Sequence, residues 1–105
     1  MAAIPLDMVV EVDDDTSSDL QVNGDIKHKG DDENTPALVT HVIASATWTS
    51  KFLLDKGDYS YRFQIERGGG TFTLRVKRVD DASEVQNQKF DTALGFHRVF
   101  LFTVS

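Results

Sequence analysis

The sequence predicts an all-β protein, a single antiparallel β-sandwich of about seven or eight strands, immunoglobulin-like or jelly-roll-like in general form. Three observations carry that expectation. Apolar and polar residues alternate with period two in several separate stretches, as in strands that keep one face in a core. No window places apolar residues at helical spacing between proper caps. The chain of 105 residues is 40% hydrophobic and holds seven Phe, enough apolar material for one core and one domain spanning 1–105.

Taken in order, LDMVVEV, from Leu6 to Val12, reads as the first strand. The acidic loop of residues 13–19, DDDTSSD, follows it. In DLQVNGDIKHK the pair Asn23-Gly24 stands between Leu20 and Val22 on one side and Ile26 and His28 on the other, which predicts a hairpin, because both central positions of a type I′ turn need positive φ. A second acidic loop covers residues 30–36. From Leu38 to Leu54 the even positions are mostly apolar, Trp48 among them, so Trp48 is assigned to the core. That run is far longer than a strand of about 5–6 residues, so a break is expected near Ala44 to Ala46 or Thr49 to Lys51.

The stretch LLDKGDYSYRFQIERGGGTFTLRVKR predicts a second hairpin. Tyr59, Tyr61, Phe63 and Ile65 would face the core with Phe72, Leu74 and Val76, the glycines Gly68 to Gly70 would turn the chain, and Arg62, Arg75 and Lys77 would gather on one basic outer face. Its portion LDKGDYSYRFQIERGGG, about 17 of the 105 residues, resembles the hairpin of starch-binding and related early-set β-sandwich modules. What the resemblance implies is a sandwich; the matching residues are structural ones, and no binding residue comes across with them. Asp80 to Leu94 is weakly patterned and is read as a short edge strand or one helical turn. The last stretch, GFHRVFLFTVS, is apolar on both faces: Phe96, Phe100, Phe102 and Val104 on one, Val99 and Leu101 on the other. Only one face of a sandwich strand meets the core, so Val99 and Leu101 need a second cover, expected from within the chain, by the Asp80 to Leu94 segment or the N-terminal strand, in preference to a partner chain.

Charge is distributed unevenly. Residues 1–34 hold ten acids against Lys27 and Lys29, whereas residues 35–105 hold seven acids against nine bases, for an overall charge of -6. That balance argues against nucleic acid, whose phosphates require a basic footprint. With no cysteine, disulfides and thiolate-bound metals are excluded. MAAIPLDMVVEV has neither a basic lead nor an unbroken apolar run, so no signal peptide or membrane segment is read there and a cytoplasmic chain is the default expectation.

Catalytic and cofactor-binding residues are not assigned, because no GxSxG, HExxH or phosphate-loop pattern occurs and His28, His41 and His97 lie far apart; the chain is read as non-enzymatic. The acids Asp13, Asp15, Asp19, Asp31 and Asp32 are candidate calcium ligands, provided the two acidic loops share one end of the sandwich. Arg62, Arg75, Lys77, Val99 and Leu101 are candidate partner-binding residues. The function expected is a binding or assembly module acting through protein contacts or self-association, with a small-ligand module for carbohydrate or calcium at the acidic loop end as the alternative.

Overall fold

The computed structural model describes residues 3–105. Eight strands form: β1 (Ile4–Val12), β2 (Gln21–His28), β3 (Val39–Ser45), β4 (Ser50–Leu54), β5 (Gly57–Arg67), β6 (Thr71–Arg78), β7 (Glu84–Asp91) and β8 (His97–Val104), with one 3-10 turn at Thr92–Leu94. They make two four-stranded antiparallel sheets, ordered β4-β1-β6-β7 and β3-β2-β5-β8, packed as a β-sandwich. Among the described residues no helix is long and apolar enough to cross a membrane.

Alternation decides which side of each strand is buried. Leu6, Met8 and Val10 of β1, Tyr59, Tyr61, Phe63 and Ile65 of β5, Phe72, Leu74 and Val76 of β6, and Phe100, Phe102 and Val104 of β8 all enter the core. Rings then run in file between the sheets. Tyr61 stacks on Phe63 at 5.0 Å, Phe63 meets Phe90 edge-on at 5.1 Å, and Phe90 also lies against Phe72 and Phe100 at 5.8 and 6.1 Å. Such offset and edge-on contacts add to the burial of large apolar area.

Three local expectations are corrected. Asn23-Gly24 is no turn: β2 runs straight through it, and Gly24 has no positive φ. Gly24 is paired opposite Phe63, where an added Cβ would lie 2.2 Å from the Arg62 carbonyl oxygen and 2.6 Å from the Phe63 Cα. Glycine is there because β5 approaches too closely for a side chain, a demand that the Asn-Gly pair does not distinguish from a turn. The irregularity in β2 is a bulge between Gly24 and Ile26, with His41 of β3 opposite at a left-handed φ of 56°.

The second expected hairpin also fails to form. β5 and β6 follow one another in sequence, yet β5 pairs with β2 and β8 while β6 pairs with β1 and β7. Gly68 to Gly70 therefore arch the chain across the core instead of folding it back, and the hairpin that carried the family resemblance is absent. At Gly70, φ is 93° and a Cβ would lie 2.0 Å from the Asp15 carbonyl oxygen, so the arch is pressed onto the first acidic loop. Trp48, finally, is outside the core. Residues 46–49 connect the two strands of the long apolar run, which breaks where expected, and Trp48 is 62% exposed there. Asp80 to Leu94 supplies both an edge strand, β7, and the 3-10 turn.

Two outcomes are expected. Gly24→Ala should lower unfolding stability by about 1–3 kcal/mol in urea titration, the cost of forcing a methyl group against the backbone of β5. Alkaline pH should also destabilise the fold, because burial raises Tyr61 well above the ordinary tyrosine value of 10.0, and Tyr59 is raised by burial as well. Since the folded values lie above the unfolded one, this contribution is complete below pH 10.0 and is lost as the pH rises beyond it, which a pH series of thermal midpoints would read.

Candidate functional site

The acidic loops lie at opposite ends of the sandwich. The first, joining β1 to β2, is bound to the β5–β6 arch: Ser17 N donates to the Gly69 oxygen at 2.9 Å, and Gly69 N donates to Ser17 Oγ at 2.8 Å. The second follows His28 and sits beside the start of β5, where Lys29 N donates to the Asp58 oxygen at 3.0 Å. The eleven residues of β5 separate the two ends by roughly 30 Å at about 3.3 Å per residue. Asp13, Asp15 and Asp19 therefore never meet Asp31 and Asp32, and the five-acid calcium set is corrected.

Within each loop the carboxylates brace the backbone. Asp15 Oδ1 accepts from Thr71 Oγ1 at 2.6 Å and from Thr71 N at 3.1 Å, Asp13 Oδ2 accepts from the same hydroxyl at 3.0 Å, and Lys89 lies 3.2 Å from Asp13. The Thr71 hydroxyl holds the Asp15 carboxyl below its ordinary range. Asp32 Oδ1 accepts from the Asn34 and Thr35 amides and from the Thr35 hydroxyl, each at 3.0 Å, and the Thr35 hydroxyl is the main cause of its lowered pKa. Among the described residues no three His, Cys, Asp or Glu side chains are gathered as metal ligands would be.

The basic face is divided as well. Arg62 points outward from the β3-β2-β5-β8 sheet between Asp25 of β2 and Val99 of β8, whereas Arg75 and Lys77 point outward from the other sheet. The arch that places β5 and β6 in different layers sends their polar sides to opposite surfaces. Arg75 is held on both sides, by Glu11 of β1 at 2.6 Å and by Glu84 of β7. Those hydrogen bonds, Glu11's foremost, raise its pKa, so its charge is spent within its own sheet. Lys77 pairs in register with Asp7, and Lys51 reaches the same carboxylate at 3.0 Å.

Two surfaces remain. On β8, Val99 and Leu101 are 48% and 44% exposed; no described segment covers them, which corrects the preference for cover from within the chain. Among the described residues β8 is an edge strand, paired only with β5, and exposed Leu94 and Phe96 precede it. The second surface is a cleft of about 930 Å³ at the opposite flank, where edge strands β3 and β4 meet, lined by Asp19, Gln21, His41, Trp48, Lys51 and Arg67 among others. Sequence reasoning missed it because strand parity carried Trp48 inward. The signal was there in SATWTS, whose small and hydroxyl residues mark a turn that resets the parity.

Arg75→Ala should lower the thermal midpoint by an amount that shrinks in about 1 M salt, since ion pairs at this exposure are screened. Arg62→Ala should leave the midpoint unchanged, because Arg62 makes no ion pair among the described residues. No protein-family model matches the chain, and no curated protein or solved structure matches it.

Proposed function

We propose that the chain is a non-enzymatic assembly module that works through protein contacts, with β8 and the outer face beside it as the contact surface and a second copy of the chain as the occupant. The observation that supports this is the exposure of Val99 and Leu101 on an edge strand. An edge strand offers unpaired N–H and C=O groups to any chain that can align with it, and natural edges are commonly protected by charge, proline or a covering segment. β8 has no proline and no acid, and its one Arg, Arg98, turns inward over the Phe90 ring at 5.1 Å.

The strand is also self-complementary. Antiparallel pairing about a two-fold axis at Phe100 sets Val99 of one copy beside Leu101 of the other, His97 beside Thr103, and Arg98 beside Phe102. No like charges are opposed, and the four outward aliphatic side chains join into one patch. Arg62, next to Val99 in the neighbouring strand, would border that patch. Two chains of charge -6 repel at long range, so association should strengthen as salt screens them.

Sedimentation over a concentration series should show reversible self-association that grows with salt. The double substitution Val99→Lys, Leu101→Lys should abolish it without lowering the thermal midpoint, because both side chains lie outside the core. A chain that sediments as a monomer at every concentration and salt level overturns the proposal.

A further inference from the structure

The cleft between β3 and β4 carries a separate inference, independent of the β8 surface. Trp48 sits on a turn whose backbone is fixed: Ser45 N donates to the Trp48 oxygen at 3.0 Å, Trp48 N donates to the Ser45 oxygen at 3.4 Å, and Thr47 N donates to Ser45 Oγ at 3.3 Å. The Ser50 hydroxyl ties the start of β4 back to the Ile43 carbonyl. A rigid turn thus presents the chain's single indole, 62% exposed, at a concave surface. Nothing in a short polar turn calls for an indole, which leaves apolar area in water.

The surrounding groups define what could cover it. Arg67 Nη2 donates to Gln21 Oε1 at 2.7 Å, which orients both planar side chains and leaves the Gln21 amide N–H groups and the other guanidinium N–H groups available. His41 is held at a φ of 56°, a conformation rare for a residue with a Cβ, and its N–H donates to Asp25 Oδ1 at 3.2 Å. Backbone strain of this kind gathers at functional sites. Ser45, Thr47 and Thr49 add hydroxyls to the lining. An apolar ligand would strip water from these groups and give nothing in return. A nucleotide would bring its phosphates toward Asp19 and the first acidic loop. Of the cations lining the cleft, Lys51 is paired with Asp7, and Arg67 shares the lining with the acid Asp19, so the cleft has no cluster of positive charge to select an anion.

An occupant that offers an apolar ring face together with a hydroxyl-bearing edge, and no net charge, fits all of these constraints. We infer that this cleft is a binding site for a neutral saccharide, with one sugar ring lying on Trp48 and its hydroxyls bonded to the Gln21–Arg67 pair and the His41 side. The cleft is about 930 Å³, within the range of ligand sites and open enough for an oligomer of sugar units to pass through.

Because Trp48 is the only tryptophan, its emission reports on the site directly. Fluorescence titration should be run with neutral hexasaccharides of the cello, xylo, malto, manno and N-acetylated chito series. At least one should give a saturable shift or quench, and Trp48→Ala should weaken its binding, read by calorimetry, at least tenfold with an unchanged amide spectrum elsewhere. Arg67→Ala and Gln21→Ala should each weaken it several-fold while the emission of the free protein stays the same. Failure of all five series at millimolar concentration overturns the inference, as does a ligand that Trp48→Ala binds equally well. Neither result touches the β8 proposal, whose substitutions lie on the other flank.

Discussion

The structure depends on Phe90. It is the one fully buried side chain that β7 contributes, and it touches rings from three other strands: Phe63 of β5, Phe72 of β6 and Phe100 of β8. Two of those strands belong to the opposite sheet, so a single ring from an edge strand joins the layers. Arg98 lies over its ring and donates to the Asp91 carbonyl at 3.2 Å. The remainder of β7 is mostly exposed, and its polar outer segment is kept in the sheet by this anchor and by the backbone ladder to β6.

The same core imposes the arch between β5 and β6. Both strands carry bulky apolar residues on one face, and a hairpin would have laid all of them on one side of a single sheet. Sending β6 to the other layer lets the two apolar faces meet, so that each covers the other. The glycines at the crossing are then in contact with the first acidic loop, which explains why Asp13, Asp15, Thr16 and Ser17 are all engaged with Thr71 or Gly69. A loop that looks from its composition like a solvated or ion-binding segment is a brace for the arch.

Surface without partners among the described residues is left where the sandwich does not close on itself. One sheet's outer face is covered by alternating charges, with Lys51 and Asp7, then Glu11, Arg75 and Glu84, satisfied among themselves. The other sheet carries exposed aliphatic residues on β8 and an open flank at β3, beyond which the chain turns through Trp48. These two flanks differ in chemistry, one an apolar edge and the other a hydroxyl-lined cleft.

Period-two alternation was enough to determine β1, β5, β6 and β8, their buried sides and the all-β class, because it reflects a local rule: successive side chains of a strand point to opposite faces. It also marked Val99 and Leu101 as apolar residues without a place in the core. What alternation does not encode is which strand lies beside which. Asn23-Gly24 has the composition of a turn, but only the approach of the Phe63 backbone decides that Gly24 belongs in mid-strand. Arg62 and Arg75 are thirteen positions apart across an apparent hairpin, yet the arch places them on opposite surfaces. The two acidic loops are similar in sequence character, and the length of β5 holds them apart. Trp48 keeps core parity on paper until a turn shifts the register. Each of these features rests on contacts between residues distant in the chain, and such contacts are settled by how two apolar faces close over one another, which only the tertiary structure decides.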